Sequence, residues 1–177
     1  MEKTFNMIYW IAAGIAICFG ASFLYCRYGG KRRQKKDDVP SLIPIIGYFK
    51  GQCNSFRIVA EKPDRIQKCE KVFDYADKVF EFHADDVLKN WWKNFSDDRN
   101  QWNVTIYSKK AKQLLYLLRS SGVVPSTEKQ IVWDADASER YIPYDDVEDG
   151  DLCNVIQPCW TYRNGLFEQG LVSRNVN

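Results

Sequence analysis

The hydrophobic pattern of the chain changes sharply between its first 26 residues and the rest. No charged residue occurs from Thr4 to Cys26, and a helix needs about 20 apolar residues to cross the hydrocarbon core of a bilayer. Aromatic residues, which prefer the membrane interface, stand near both ends of this run. The pattern therefore predicts a short N-terminal flank over residues 1–7 and a transmembrane helix over residues 8–26.

A basic tract follows the apolar run at once. Its members are Arg27, Lys31, Arg32, Arg33, Lys35 and Lys36. Because basic flanks stay on the cytoplasmic side, the tract predicts a single-pass protein of the cell membrane, with its N-terminus outside and its C-terminal domain in the cytoplasm. We interpret residues 27–41 as a juxtamembrane linker whose basic side chains contact anionic lipid headgroups. The alternative is that these charges serve only to set the topology. A cleaved secretory signal would carry its positive charge before the apolar core instead.

Small residues recur at every fourth position of the predicted span, at Ala12, Ala16 and Gly20. This spacing allows two membrane helices to approach closely, and it makes the stripe a candidate helix-packing face and a route to a homodimer. Since Ala and Gly are common in membrane spans, chance recurrence is an equal alternative.

Residues 42–177 are predicted to form one soluble domain. After Pro63, apolar residues recur at three- and four-residue spacings, which predicts an amphipathic helix with proline in its first turn. A second apolar stripe runs from Ala84 to Phe95. We expect two helices with a break near His83, and one continuous helix is the alternative. This helical stretch either contacts a second copy beside the membrane or packs into the domain's own core.

Shorter patterns follow. Asn103 to Tyr107 alternates between polar and apolar residues and predicts a strand, and Ser108 is expected to cap a helix that ends near Gly122. Asn164-Gly165, flanked by apolar runs, is typical of a hairpin. Further strands are predicted at Gln130–Trp133, Leu152–Ile156, Trp160–Tyr162 and Leu166–Val172. The fold class is thus α+β: one N-terminal transmembrane helix, then a single small domain with a helical first half and a β-rich C-terminal third.

Composition narrows the range of partners. The first 36 residues hold seven of the 25 basic residues and one of the 23 acidic residues, which leaves the remainder with a net charge of −4. Nucleic-acid binding requires a basic surface, so no nucleic acid is expected as a partner. The lipid bilayer and another protein are the expected partners.

Carboxylates cluster between Asp134 and Asp151. Such oxygen ligands suit hard divalent cations, and the weak metal candidates are Asp134, Asp136, Asp145 and Asp149. The spacing does not match a calcium-binding loop, because Val147 and Ile156 fall where carboxylates are needed when Gly150 takes the loop-glycine position. A solvated acidic loop is the alternative. No cofactor is predicted.

Other catalytic signals are weak. His83 is the single histidine, which excludes zinc sites with two or more histidine ligands. The chain has no phosphate-binding glycine loop, no nucleophile elbow and no dinucleotide fingerprint. The six-residue spacing of Cys153 and Cys159 does not match a redox or zinc motif. An enzyme is therefore the less favoured class.

Trp92 is the predicted partner-binding residue. Trp91 and Trp92 point about 100° apart on a helix, so we expect one of them, Trp92, to be partly exposed. Exposed aromatic side chains often anchor interfaces.

The chain is therefore interpreted as a single-pass membrane-anchored protein-interaction subunit, of the assembly, regulatory or adaptor kind. One alternative is an extracytoplasmic envelope or surface binding module that is cross-linked by a Cys153–Cys159 disulfide or by another cysteine pair. The other is a membrane-tethered hydrolase that uses the acidic stretch with a divalent metal.

Overall fold

The computed structural model describes residues 40–174. The predicted span over residues 8–26, with its small-residue stripe, and the basic tract lie outside the described residues. Within 40–174, no helix is both long and apolar enough to cross a bilayer. This part of the chain has an α+β fold in which the helices come mostly before the strands, so the predicted fold class of the domain is confirmed.

The helical half of the described chain combines short and long helices. Its 3₁₀ helices are Ile43–Phe49 and Arg99–Gln101, and its α-helices are α1 (Cys53–Glu61), α2 (Ile66–His83), α3 (Asp86–Phe95) and α4 (Val104–Ser120). The second half holds one short helix, α5 (Ala135–Arg140), among seven strands. The strands are β1 (Val123–Pro125), β2 (Gln130–Val132), β3 (Tyr141–Pro143), β4 (Leu152–Gln157), β5 (Trp160–Tyr162), β6 (Gly165–Glu168) and β7 (Gly170–Ser173).

The predicted break near His83 is confirmed. Helix α2 ends at His83, Ala84 has an extended backbone, and the Asp85 carboxylate then accepts a 2.8 Å hydrogen bond from the Leu88 amide to cap α3. Pro63 lies three residues before α2 begins, so it precedes the helix and does not occupy its first turn.

The predicted strand from Asn103 to Tyr107 is wrong. Asn103 caps α4 by accepting a 3.0 Å hydrogen bond from the Ile106 amide, and the residues after it are helical. Ser108 is not a cap either: its hydroxyl is buried and donates to the Ala60 carbonyl oxygen at 2.9 Å. Alternation over five residues is compatible with a helix as well, and here the apolar stripe of α4 already begins at Tyr107.

The strands form two sheets. One has three antiparallel strands in the order β1-β5-β6, and the other has four strands in the order β2-β4-β7-β3, with β3 parallel to β7. The segment Leu166–Val172, predicted as one strand, is divided between the sheets, because the chain leaves the first sheet after Glu168 and enters the second at Gly170. The hairpin is confirmed: Arg163 and Asn164 both have positive φ, 49° and 63°, as a primed two-residue turn requires.

Two hydrophobic clusters stabilise this arrangement. The larger one joins the helices to the three-stranded sheet through Val123, Trp160 and Phe167. The smaller one lies under the four-stranded sheet and includes Ala137 of α5. Since α5 links the parallel strands β2 and β3, it covers one face of that sheet.

Candidate functional site

The four-stranded sheet has one packed face and one open face. Side chains alternate along a strand, and those of Ile131, Cys153 and Val172 point into the smaller hydrophobic cluster. Five of the intervening positions carry aliphatic side chains on the opposite face. These are Val132, Ile142, Leu152, Ile156 and Leu171, which we call the aliphatic sheet face.

The aliphatic sheet face consists of side chains on neighbouring strands that are divided into two groups by the polar row Gln130, Asn154 and Ser173. Val132 lies opposite Leu152, and Ile142 lies opposite Leu171. Leu171 is half-buried, while the other four side chains are between 47% and 56% exposed. No described element packs over them, and apolar surface left open on a folded domain is typical of an interaction site.

The acidic stretch borders this sheet. The loop between β3 and β4 is fixed at the end of β7, where Asp145 accepts hydrogen bonds from the Ser173 hydroxyl at 2.8 Å and from the Arg174 amide at 3.0 Å. Asp151 forms an ion pair with Arg174 at 3.2 Å and also accepts from the Glu148 amide. Three further carboxylates of the loop are exposed, namely Asp146, Glu148 and Asp149.

The metal candidates do not form a ligand cluster. Asp134 caps α5 by accepting a 2.7 Å hydrogen bond from the Ala137 amide, and Asp136 is exposed in the first turn of that helix. Asp145 holds the β3–β4 loop, and Asp149 points to solvent from the same loop. In the part of the chain that the structure describes, no group of three or more His, Cys, Asp or Glu side chains is placed to hold a metal ion.

The predicted exposure of Trp92 is wrong. Trp92 is only 7% exposed: its ring stacks on Phe80 with centroids 4.4 Å apart, and its Nε1 donates a 2.9 Å hydrogen bond to Asp77. Trp91 is the half-buried member of the pair. Adjacent helical positions point about 100° apart, and α3 turns its Leu88–Trp92 side toward α2.

A cluster that the sequence analysis did not find surrounds Arg99. Its guanidinium donates to the carboxylates of Asp74 and Asp77, to the Glu70 carbonyl oxygen and to the Tyr107 hydroxyl. The Arg99 guanidinium therefore holds the loop after α3 against one side of α2. It also pairs with the carboxylates of Asp74 and Asp77, which would otherwise attract a ligand there.

A half-buried carboxylate links the two halves of the domain. Glu168 of β6 accepts hydrogen bonds from the backbone amides of Cys53, at 2.6 Å, and Asn54, at 3.1 Å, at the start of α1. Burial, reinforced by this carboxylate, raises the pKa of the Cys53 thiol. Cys53 is fully buried, so it stays protonated and is not placed to act as a nucleophile.

The cysteines of the described domain are all free. Cys53, Cys69, Cys153 and Cys159 are buried thiols, and the Cys153–Cys159 disulfide of the alternative interpretation is not formed.

Comparisons of the chain with protein-family models, with characterised proteins and with solved structures found no match.

Proposed function

We propose that this chain is a single-pass membrane-anchored protein-interaction subunit, of the assembly, regulatory or adaptor kind, whose cytoplasmic domain binds a partner protein through the aliphatic sheet face. The observation that carries the proposal is the open sheet face itself, four of whose five aliphatic side chains are about half exposed. Membrane anchorage rests on the apolar run over residues 8–26 and on the basic tract that follows it.

The charges around the sheet indicate the chemistry of the partner. Exposed carboxylates at Asp146, Glu148 and Asp149 lie in the loop that leads into β4. A complementary surface has aliphatic side chains flanked by Lys or Arg, because opposite charges at the rim favour encounter and like charges oppose it. For the same reason a second copy is disfavoured at this face. A homodimer through Ala12, Ala16 and Gly20 is a separate route that does not use the sheet.

The test of partner binding is site-specific photo-crosslinking of the full chain in its own cells. The photo-reactive residue p-benzoyl-phenylalanine replaces Leu152 or Ile142 in turn, and Tyr116, an exposed aromatic residue of α4, is the matched control position. We expect the same protein adduct from both sheet positions and none from Tyr116. The adduct should disappear in a Val132→Asp variant. In membranes isolated from those cells it should weaken as salt is raised, since rim charges contribute to the contact.

Two outcomes contradict the proposal. One is a pair of unrelated adducts, or the same adduct from Tyr116, which indicates nonspecific proximity. The other is an adduct of twice the mass of the chain at the sheet positions, which identifies a second copy as the occupant.

The topology requires its own test, because the thiols of the described domain are buried. A Tyr116→Cys variant places a thiol on the surface, and a membrane-impermeant maleimide is added to intact and to permeabilised cells, with the unsubstituted chain as the background control. We expect the added labelling only after permeabilisation. Labelling in intact cells favours the extracytoplasmic binding module instead.

A further inference from the structure

The two solvent-facing flanks of α2 carry opposite chemistry. Residues three and four apart lie on one side of a helix. The solvent side of α2 therefore displays two neighbouring stripes, whose residues are offset by one position in the sequence. The acidic stripe consists of Glu70, Asp74, Asp77 and Glu81, and the other stripe consists of Lys71, Tyr75, Lys78 and Phe82. Arg99 occupies the acidic stripe through Asp74 and Asp77. The lysines and aromatic rings of the second stripe face solvent or the first 3₁₀ helix.

The second stripe continues onto the 3₁₀ helix at Ile43–Phe49. The Tyr75 hydroxyl donates to the Tyr48 carbonyl oxygen, and the Tyr48 ring stacks on His83 with centroids 3.5 Å apart. Phe82, two turns of helix beyond Tyr75, is 70% exposed, and Tyr48 is 48% exposed. We call Tyr48, Lys71, Lys78 and Phe82 the lysine–aromatic flank.

The two lysines of this flank are free to bind an external anion. Both are exposed, and within residues 40–174 neither forms an ion pair. Exposed lysines near the exposed rings of Phe82 and Tyr48 suit the boundary between anionic headgroups and acyl chains. At this boundary rings insert at headgroup depth and ammonium groups meet phosphate or carboxylate.

The position of the flank in the chain points to the same occupant. The described domain begins at Pro40, and its first element is the 3₁₀ helix that carries Tyr48. If residues 8–26 span a bilayer, as the proposed function holds, the linker up to residue 39 can extend about 40 Å. A surface of anionic lipid then stays within reach of the domain at a high effective concentration.

We propose that the lysine–aromatic flank is a peripheral membrane-binding face, which docks the domain onto anionic lipid of the same leaflet that its basic tract enters. Phe82 and Tyr48 insert among the headgroups, while Lys71 and Lys78 contact their negative charges. This inference rests on the membrane anchorage of the proposed function, and it leaves the aliphatic sheet face free for the partner protein.

The test is photo-crosslinking to lipid in nanodiscs that hold the full chain. The residue p-benzoyl-phenylalanine replaces Phe82, or Tyr116 as the matched exposed control, in nanodiscs of phosphatidylcholine alone or mixed with phosphatidylserine. Mass spectrometry then counts the lipid adducts. We expect adducts from position 82 in the mixed discs and a fall of about tenfold when phosphatidylserine is omitted or when Lys71→Glu and Lys78→Glu are combined.

The remaining outcomes separate this inference from the proposed function. Equal lipid adducts at positions 82 and 116, or none at position 82 in the mixed discs, overturn the inference while the anchor and the sheet contact stand. An adduct between position 82 and another protein in cells also overturns it, since the flank is then a protein interface. If alkaline carbonate extracts the unsubstituted chain from membranes, the chain is not anchored by a membrane span. The proposed function and this inference are then both wrong.

Discussion

The indole Nε1 of Trp160 donates a 2.8 Å hydrogen bond to the side-chain oxygen of Asn54, and both residues are buried. Asn54 belongs to α1 and Trp160 to β5. The side-chain nitrogen of Asn54, Nδ2, in turn donates to the Pro158 carbonyl oxygen at 3.2 Å. One side chain thus satisfies two polar groups of the segment Pro158–Trp160, at the place where the helical half meets the three-stranded sheet.

Removing this side chain is expected to destabilise the domain. An Asn54→Ala variant leaves the buried Trp160 N–H and the Pro158 carbonyl without their partner, which should lower the free energy of unfolding by about 2–3 kcal/mol. Urea unfolding of the full chain in detergent, followed by tryptophan fluorescence, measures the loss. The matched control is Asn90→Ala at an exposed position of α3, where we expect a change below about 0.5 kcal/mol. Equal losses at the two positions would show that the Asn54 network contributes nothing specific.

The raised pKa of Glu168 predicts how the free energy of unfolding changes with pH. Burial outweighs the hydrogen bonds from Asn54 and Cys53 and raises the pKa of Glu168 above its usual value. The folded protein then binds more protons at this site than the unfolded chain does. The free energy of unfolding should therefore fall as pH rises from the usual pKa through the raised one, and then level off. Glu168→Gln removes this contribution, so wild type should lose stability relative to the variant across that interval. A difference that stays constant with pH, or that grows in favour of wild type, contradicts the assignment.

Gly170 is required by a close approach. A Cβ atom at this position would lie 2.5 Å from the Gln157 carbonyl oxygen and 2.5 Å from two ring carbons of the buried Tyr141. A Gly170→Ala variant must displace one of them, which should cost about 2–3 kcal/mol of unfolding free energy. Gly47→Ala is the control, since nothing lies within 4 Å of its added methyl group and its φ is not positive. Thermal unfolding of both variants compares them, and a tolerated Gly170→Ala would contradict the packing of β7 on Tyr141.

Substitutions at Trp91 and Trp92 should differ in their effect on the free energy of unfolding. A Trp92→Ala change removes a ring that packs on Phe80 and Phe73 and a donor to Asp77, so we expect a loss of about 3–5 kcal/mol. Trp91 is half-buried, and Trp91→Ala should cost clearly less. Chemical unfolding of the two variants in parallel gives the comparison, and a larger loss for Trp91→Ala would contradict the orientation of α3.

The sequence pattern correctly predicted two kinds of element. One kind has a hydrophobic period that extends over many residues, and the other depends on a turn whose residues adopt positive φ. Helix α2 has an apolar stripe through five turns, and its end at His83 is marked by a change of phase and by an acidic cap. The hairpin depends on two residues that adopt positive φ. In both cases the cause of the structure lies within the segment itself. The open sheet face is only partly of this kind, because β2 and β4 were predicted but not which of their sides the core would cover.

The sequence by itself determined an α+β domain with helices first and strands last, the break at His83 and the hairpin at Asn164. Only the tertiary structure decided that Asn103 begins a helix, that Trp92 is buried in place of Trp91, and that the Leu166–Val172 segment is shared between two sheets. The physical reason is that short segments fit both a two-residue and a 3.6-residue period. Contacts more than a hundred residues apart, such as Glu168 with the start of α1, then select between them.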